Sequence, residues 1–201
     1  TSSVTDMSGM FEETIATELN VGKFDTSKVT NMKSMFAFNL KIKSLDVSKF
    51  VTNKVTDMSF MFLECTSLIS LNLSNFQTQN VEYMDYMLSK LYFRKIDISN
   101  FNTKKVTHMM SMFTQSSFEE LNLKNFDTSL VTDMYEMFAD CNYLTSLDLS
   151  NFNTKNVKDM GAMFKGCTSL TDINLKSFDT SNVLDMYNMF TSCAYLTSLD
   201  L

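Results

Sequence analysis

Long apolar runs and clusters of basic residues are both missing from this chain of 201 residues. No run of about 18 apolar residues occurs, so the sequence predicts no membrane-spanning segment. The formal net charge is −6. Because phosphate binding needs a concentrated positive patch, we expect no nucleic-acid partner. The chain begins without methionine or a signal-peptide pattern, so we expect a segment of a longer chain or one that has lost its leader.

Histidine and glycine are also scarce, which limits the chemistry that we expect. His108 is the only histidine, and no Ser or Cys nucleophile recurs beside it, so we predict no enzymatic activity. Calcium-binding coils depend on glycine-rich loops, and this chain has only 4 glycines. The methionines are spread along the chain and do not converge with Cys or His, so we predict no metal and no cofactor.

What the chain does contain is one pattern in eight copies, spaced by 25 or 26 residues. Each copy starts at a valine, which we number position 0, and 16 of the 17 methionines stand at positions 3 and 6. Position 7 is phenylalanine, except that Leu88 stands there once. The eight valines are Val4, Val29, Val55, Val81, Val106, Val131, Val157 and Val183.

The two halves of each copy have different periodicities. In the first half the apolar spacing is that of one helical face, as in Val131, Met134, Met137, Phe138 and Cys141. In the second half Leu147 and Leu149 alternate with polar residues, which predicts a short strand. The predicted fold class is therefore an α/β solenoid. We expect a right-handed, leucine-rich-repeat-like coil of about eight rungs, with one short parallel strand and one short helical segment per repeat of 25–26 residues, forming a single domain over residues 1–201.

The repeat has a recognisable consensus. Residues 144–167 read LTSLDLSNFNTKNVKDMGAMFKGC, which resembles the BspA-like leucine-rich repeat of bacterial surface proteins and surface lipoproteins. This resemblance implies a leucine-rich-repeat solenoid at the cell surface or outside the cell, in a family associated with adhesion and with host or partner binding. It implies no catalytic residues. Departures are local: Leu88 replaces the phenylalanine, and Glu82 and Lys158 replace the threonine after the valine.

Three polar columns accompany the apolar ones. Cys65, Cys141, Cys167 and Cys193 all stand at position 10, where stacking makes their Cβ directions nearly parallel, so we expect buried free thiols. A threonine two residues after the second phenylalanine of each copy is expected to hydrogen-bond backbone at the turn. The residue between the paired strand leucines alternates between Asn and Asp from Asn20 to Asp200. Either this alternation relieves repulsion, with amides donating to neighbouring acids, or it reflects duplication of a two-rung unit.

The candidate binding surface consists of residues that break or decorate the repeat. Aromatic and methionine side chains outside a core are typical interface anchors, although ordinary half-exposed aromatics are the alternative interpretation. These repeat-breaking candidates are Phe60, Tyr83, Tyr86, Met110, Tyr135 and Tyr187. The strand face adds Asp46, Asp97 and Asp148. We therefore predict a non-enzymatic adhesion module for a protein or host-surface ligand.

Two other functions remain open at this stage. A regular-surface binder of polysaccharide or ice would need an unbroken threonine lattice, yet Glu82, Lys158 and Leu184 interrupt it. A structural or self-associating scaffold is the other alternative. Neither terminal copy is more polar than those inside, so we expect the coils to continue in a longer chain, which could carry an anchoring segment, or to stack end to end between molecules.

Overall fold

The protein is described by a computed structural model that covers residues 1–199. Asp200 and Leu201, the last members of the Asn/Asp column and of the predicted strands, lie outside the described residues. The copies of the repeat form coils that stack in parallel, and we name each coil after its first valine. Seven isolated parallel bridges join successive coils at position 2, from Asp6–Asn31 to Asp159–Asp185.

Regular secondary structure is limited to two strands, β1 at Ser146–Asp148 and β2 at Asp172–Asn174. They pair in parallel, with Leu147 opposite Ile173. No helix occurs within residues 1–199. The expected α/β solenoid with a helical segment in every repeat is therefore wrong, and the predicted strand forms in only two of the described copies.

Left-handed residues explain why the predicted helices do not form. Every coil has positive φ at positions 5 and 9, as at Glu136 (53°) and Asp140 (56°). An α-helix of L-residues needs negative φ throughout, so each such residue ends it. Consecutive β-turns replace the helix, with N–H groups at positions 6, 8 and 10 donating to carbonyls three residues earlier. A positive φ at the third residue is the type II arrangement.

These turns reproduce the apolar spacing of a helix. The N–H of Met137 donates to Met134 O at 3.2 Å, and that of Cys141 donates to Phe138 O at 3.2 Å. All four of these residues are buried. A series of turns thus places apolar side chains three residues apart in the core, which the periodicity alone could not distinguish from a helical face.

The turns also direct backbone groups toward the neighbouring coil. In the Val29 coil, the N–H groups of Ser34, Phe36 and Phe38 donate to Ser59, Met61 and Leu63 in the next coil, at 2.8, 3.0 and 2.7 Å. A helix would have paired these groups within its own coil. The hydrogen-bonding groups of the buried backbone therefore find their partners in neighbouring coils.

We call positions 2–10 of each coil the turn side, and the segment equivalent to residues 144–149 the strand side.

Apolar columns fill the space between these two sides in one continuous cluster that reaches from Met7 to Met189. Phe138 is fully buried and lies 5.6 Å from Phe113 and 5.7 Å from Phe164 between ring centroids. The expected burial of the methionine columns is confirmed in the interior coils. Met10 and Met186, in the first and last described coils, are 47% and 37% exposed.

The threonine column joins successive coils. Thr128 donates its hydroxyl to Asn153 O at 3.0 Å and accepts the Asn153 N–H at 2.8 Å. The same reciprocal pair recurs at Thr26 and Val51. This is the structural role expected for the column, with the partner supplied by the following coil.

The cysteines act as hydrogen-bond donors within the stack. Each thiol lies 3.1 Å from the carbonyl oxygen of position 7 in the preceding coil, as Cys65 does from Phe36 and Cys141 from Phe113. Ser116 makes the equivalent bond to Leu88 at 2.7 Å. All four cysteines are free, as expected, but only Cys65, Cys141 and Cys167 are buried, and Cys193 in the last described coil is half-buried. Burial raises the pKa of the Cys65 and Cys141 thiols to about 12, so both stay protonated donors.

Candidate binding surface

Three of the predicted residues meet on the turn side of consecutive coils. Phe60 and Tyr86 stack with ring centroids 5.0 Å apart and an interplanar angle of 11°. The Tyr86 N–H donates to Met110 O at 2.9 Å, so Met110 lies beside Tyr86 in the next coil. Lys33 places its Nζ 5.6 Å from the Phe60 centroid on the other side of the stack. All three predicted residues are half-buried.

Phe60 and Tyr86 occupy backbone positions that do not favour them. Both stand at position 5 with positive φ, 61° and 54°. Other coils place Gly, Ser, Ala, Asn or Glu there. A bulky side chain in the left-handed region is an outlier that costs on the order of 1 kcal/mol, and such strain concentrates at functional sites.

Tyr83 and His108 form a second aromatic pair beside the first. Their ring centroids lie 5.2 Å apart at position 2, where six coils carry Asp or Asn. Elsewhere that side chain accepts the N–H two residues later, as Asp133 does from Tyr135 at 2.9 Å. Neither Tyr83 nor His108 has a carboxylate or amide oxygen for this bond. These two coils therefore carry aromatic rings at the position where other coils have a side chain that accepts this hydrogen bond.

Asp85 compensates for part of that loss. Its Oδ1 accepts the N–H of Met110 at 2.8 Å, the bond that an acid in place of His108 would have made. Burial raises the pKa of Asp85 above its ordinary value, although the Met110 N–H and nearby His108 oppose the rise. We refer to Phe60, Tyr83, Tyr86, His108 and Met110 together as the aromatic patch.

Tyr135 and Tyr187 form a separate pair further along the turn side. Their hydroxyl oxygens are 2.8 Å apart, and Tyr135 also donates to Glu136 Oε1 at 2.9 Å. These hydrogen bonds raise the pKa of Tyr135. The two rings reach each other across the intervening coil because Gly161 has no side chain: a Cβ there would lie 2.7 Å from Tyr187 Cε1.

The three predicted aspartates lie on the strand side, apart from the aromatic residues. Asp46, Asp97 and Asp148 are exposed, and each accepts the N–H of the serine two residues later at 2.9, 3.0 and 3.1 Å. Hydrogen bonds from these serines lower the pKa of each carboxyl. Within residues 1–199, none of the three bonds to an Asn of the column, which argues against amide-to-acid bonds as the reason for the alternation and leaves duplication of a two-rung unit as the other explanation. The structure does not bring these aspartates into one site with the aromatic patch.

Sequence reasoning missed three contributors to this surface. Lys33 and Asp85 gave no signal by themselves, although Asp85 departs from the small or aromatic residues common at position 4. Gly161 is one of only 4 glycines, and it lies between two coils that carry tyrosine at the same position. Across residues 1–199, no cluster of His, Cys, Asp and Glu could hold a metal ion. The same part of the chain contains no helix that could cross a bilayer.

Comparison with known proteins gives one match. Residues 1–96 and 89–199 each match the family described as "Mycoplasma protein of unknown function, DUF285". The two matched segments together span nearly the whole repeat array. No curated protein and no solved structure matches the chain.

Proposed function

The chain belongs to the DUF285 family, and we propose that it is a non-enzymatic binding module, displayed at the cell surface, that holds a protein partner on a host cell through the aromatic patch. The observation that carries this proposal is the strained stack of Phe60 and Tyr86. Their rings remain half-buried at left-handed positions where no other coil carries an aromatic residue.

The surroundings of the stack support an interface. Tyr83 is 38% exposed, and Met110 and His108 extend the surface over a third coil. Aromatic residues dominate the energetics of protein interfaces, and methionine adapts to irregular partners. The coils beneath are tied by backbone hydrogen bonds, so the patch loses little further conformational freedom on binding. The BspA-like resemblance of the repeat is in keeping with this proposal.

The test is binding of fluorescently labelled protein to intact epithelial cells, measured by flow cytometry. Replacing Phe60 and Tyr86 by serine restores the residue that Ser34 and Ser111 provide at the same position. We expect this double variant to fold and to lose at least about tenfold in cell binding, because anchor residues carry most of the binding energy. Trypsin treatment of the cells should also remove binding.

Ile69→Ser is the matched control, since Ile69 is 72% exposed in the same coil as Phe60 but lies outside the aromatic patch. It should bind like the natural sequence. Absence of cell binding, or equal binding by the Phe60/Tyr86 double variant, would contradict the proposal. Binding that survives trypsin would exclude a protein partner.

A further inference from the structure

A cleft of about 390 Å³ opens where the turn side leads into the strand side, and none of its lining residues belongs to the aromatic patch. It lies over the Val106 coil, between Tyr92 of the preceding coil and Tyr143 of the following one. The Val81 and Val106 coils have 25 residues, whereas the Val131 coil has 26. In residues 1–199, no backbone hydrogen bond joins the segment 116–122 to 142–148, whereas β1 and β2 pair fully one coil later. The cleft therefore lies beside a break in backbone pairing between these two segments, although the same coils remain joined on the turn side.

Polar side chains with few hydrogen-bond partners among the described residues line this cleft. The side chains of Gln115, Ser117 and Asp140 form no hydrogen bond with any described residue, and Asn142 uses only its Oδ1, which accepts from Thr168 at 3.1 Å. These groups supply a carboxylate acceptor, a hydroxyl and two amides within one recess.

Gly166 makes the position of Asp140 possible. A Cβ on Gly166 would lie 2.0 Å from Asp140 Oδ1, so any other residue there would displace the carboxylate. Asp140 itself has φ 56° and Gln115 has φ 56°. Both are position-9 residues of neighbouring coils, so the same turn geometry places their side chains on one surface.

Two exposed aromatic rings frame the recess. Tyr92 is 52% exposed and Tyr143 is 45% exposed. Arg94, the only arginine of the chain, places its Cζ 3.4 Å from the Tyr143 centroid and its Nε 3.8 Å from Glu119 Oε1. Arg94 is not part of the lining, and its guanidinium packs on the Tyr143 ring and holds that ring in place.

We propose that this cleft binds a neutral saccharide. A pyranose presents apolar C–H groups, which pack on the electron-rich face of a tyrosine, and hydroxyls, which both donate and accept. Asp140 is the only charged residue of the lining, and it disfavours an anionic sugar or a phosphate. The volume falls within the range of small-molecule sites, near its lower end, and suits one or two sugar units. This site is independent of the aromatic patch and of the protein partner proposed there.

The test is saturation-transfer NMR of the purified chain with glucose, galactose, N-acetylglucosamine and their disaccharides at millimolar concentration. We expect at least one of these probes to bind. In the amide spectrum of the protein, the chemical-shift changes that it causes should be confined to the cleft. Tyr92→Ala removes one aromatic wall. Asp140→Gly removes the carboxylate without backbone strain, because glycine tolerates the positive φ at that position. Each variant should weaken binding by about tenfold or more.

Tyr195→Ala is the matched control, because Tyr195 is 65% exposed and occupies the same repeat position as Tyr143 in the Val183 coil. It should leave binding unchanged. Retained folding of each variant is checked by its amide spectrum. Failure of every probe to bind, or binding that persists in both Tyr92→Ala and Asp140→Gly, would overturn the proposal.

Discussion

The turn side and the strand side of the coil stack both contribute apolar columns to the core, but their backbones pair differently. On the turn side, parallel bridges connect all eight coils at position 2. On the strand side, regular pairing is confined to β1 and β2 among the described residues. Left-handed residues at positions 5 and 9 direct N–H groups to the next coil, and the strand side has no such device. Continuous pairing gives the aromatic patch a fixed base, whereas the cleft opens where the paired turn side leads into the incompletely paired strand side.

The largest expected effect comes from removing a buried ring on the turn side. Phe138→Ala removes a fully buried ring that stacks on neighbours in two adjacent coils, and should reduce the free energy of unfolding by about 3–5 kcal/mol. Leu121→Ala, on the strand side, removes a half-buried side chain and should reduce it by about 1 kcal/mol. Urea unfolding of both variants measures the difference. Equal losses would contradict the difference in burial between these two side chains.

A smaller effect concerns the threonine column that joins coils between the two sides. Thr128→Val keeps the side-chain shape but leaves the Asn153 N–H and carbonyl without their hydroxyl partner, and should destabilise the fold by about 1–3 kcal/mol. Thr132→Val is the control, because Thr132 is exposed and should change stability by less than about 0.5 kcal/mol. Thermal unfolding distinguishes the two variants, and a neutral Thr128→Val would show that the column carries no structural bond.

The strand side should respond locally to acid. Hydrogen bonds from Ser150 lower the pKa of Asp148, so its contribution to stability is present above the unfolded-state pKa and is lost as the pH falls through the folded-state pKa. Ser150→Ala should raise the pKa of Asp148 toward its ordinary value without moving that of Asp97. NMR titration of both carboxyls measures this. Alanine keeps the backbone N–H that donates to Asp148, so an unchanged pKa of Asp148 would show that the serine hydroxyl is not the cause.

Much of this architecture could be predicted from the repeat, and the limits have identifiable causes. The period, the buried columns, the free cysteines and the structural threonines follow from residues such as Val131, Met134 and Thr128 recurring in register. The helix prediction failed because a series of type II turns and a helix both bury residues three apart, and φ at Glu136 or Ala162 leaves no mark in the apolar pattern. Glycine, the usual sign of positive φ, stands at position 5 only once, at Gly9.

The candidate sites were predictable only in part, for a related reason. Phe60, Tyr86 and Met110 depart from a strict consensus, so the sequence singles them out, and the structure brings them together in consecutive coils. Asp46, Asp97 and Asp148 follow the consensus of the repeat. Each accepts the N–H two residues later, as the equivalent Asn or Asp does in other copies. The cleft lies where coils of 25 and 26 residues adjoin, and Arg94 reaches Tyr143 across the intervening Val106 coil. Neither feature is visible as a motif.

The central claim is that the turn side consists of β-turns with left-handed residues in place of helices. Ala162 and Ala139 are both buried alanines of the turn side, but only Ala162 has positive φ, at 52°. Replacement by glycine removes one buried methyl group from each, and it relieves backbone strain only at Ala162. The account predicts that, in urea unfolding, Ala139→Gly is more destabilising than Ala162→Gly by about 1–2 kcal/mol. Equal destabilisation by the two variants, as expected for two positions within a helix, would contradict it.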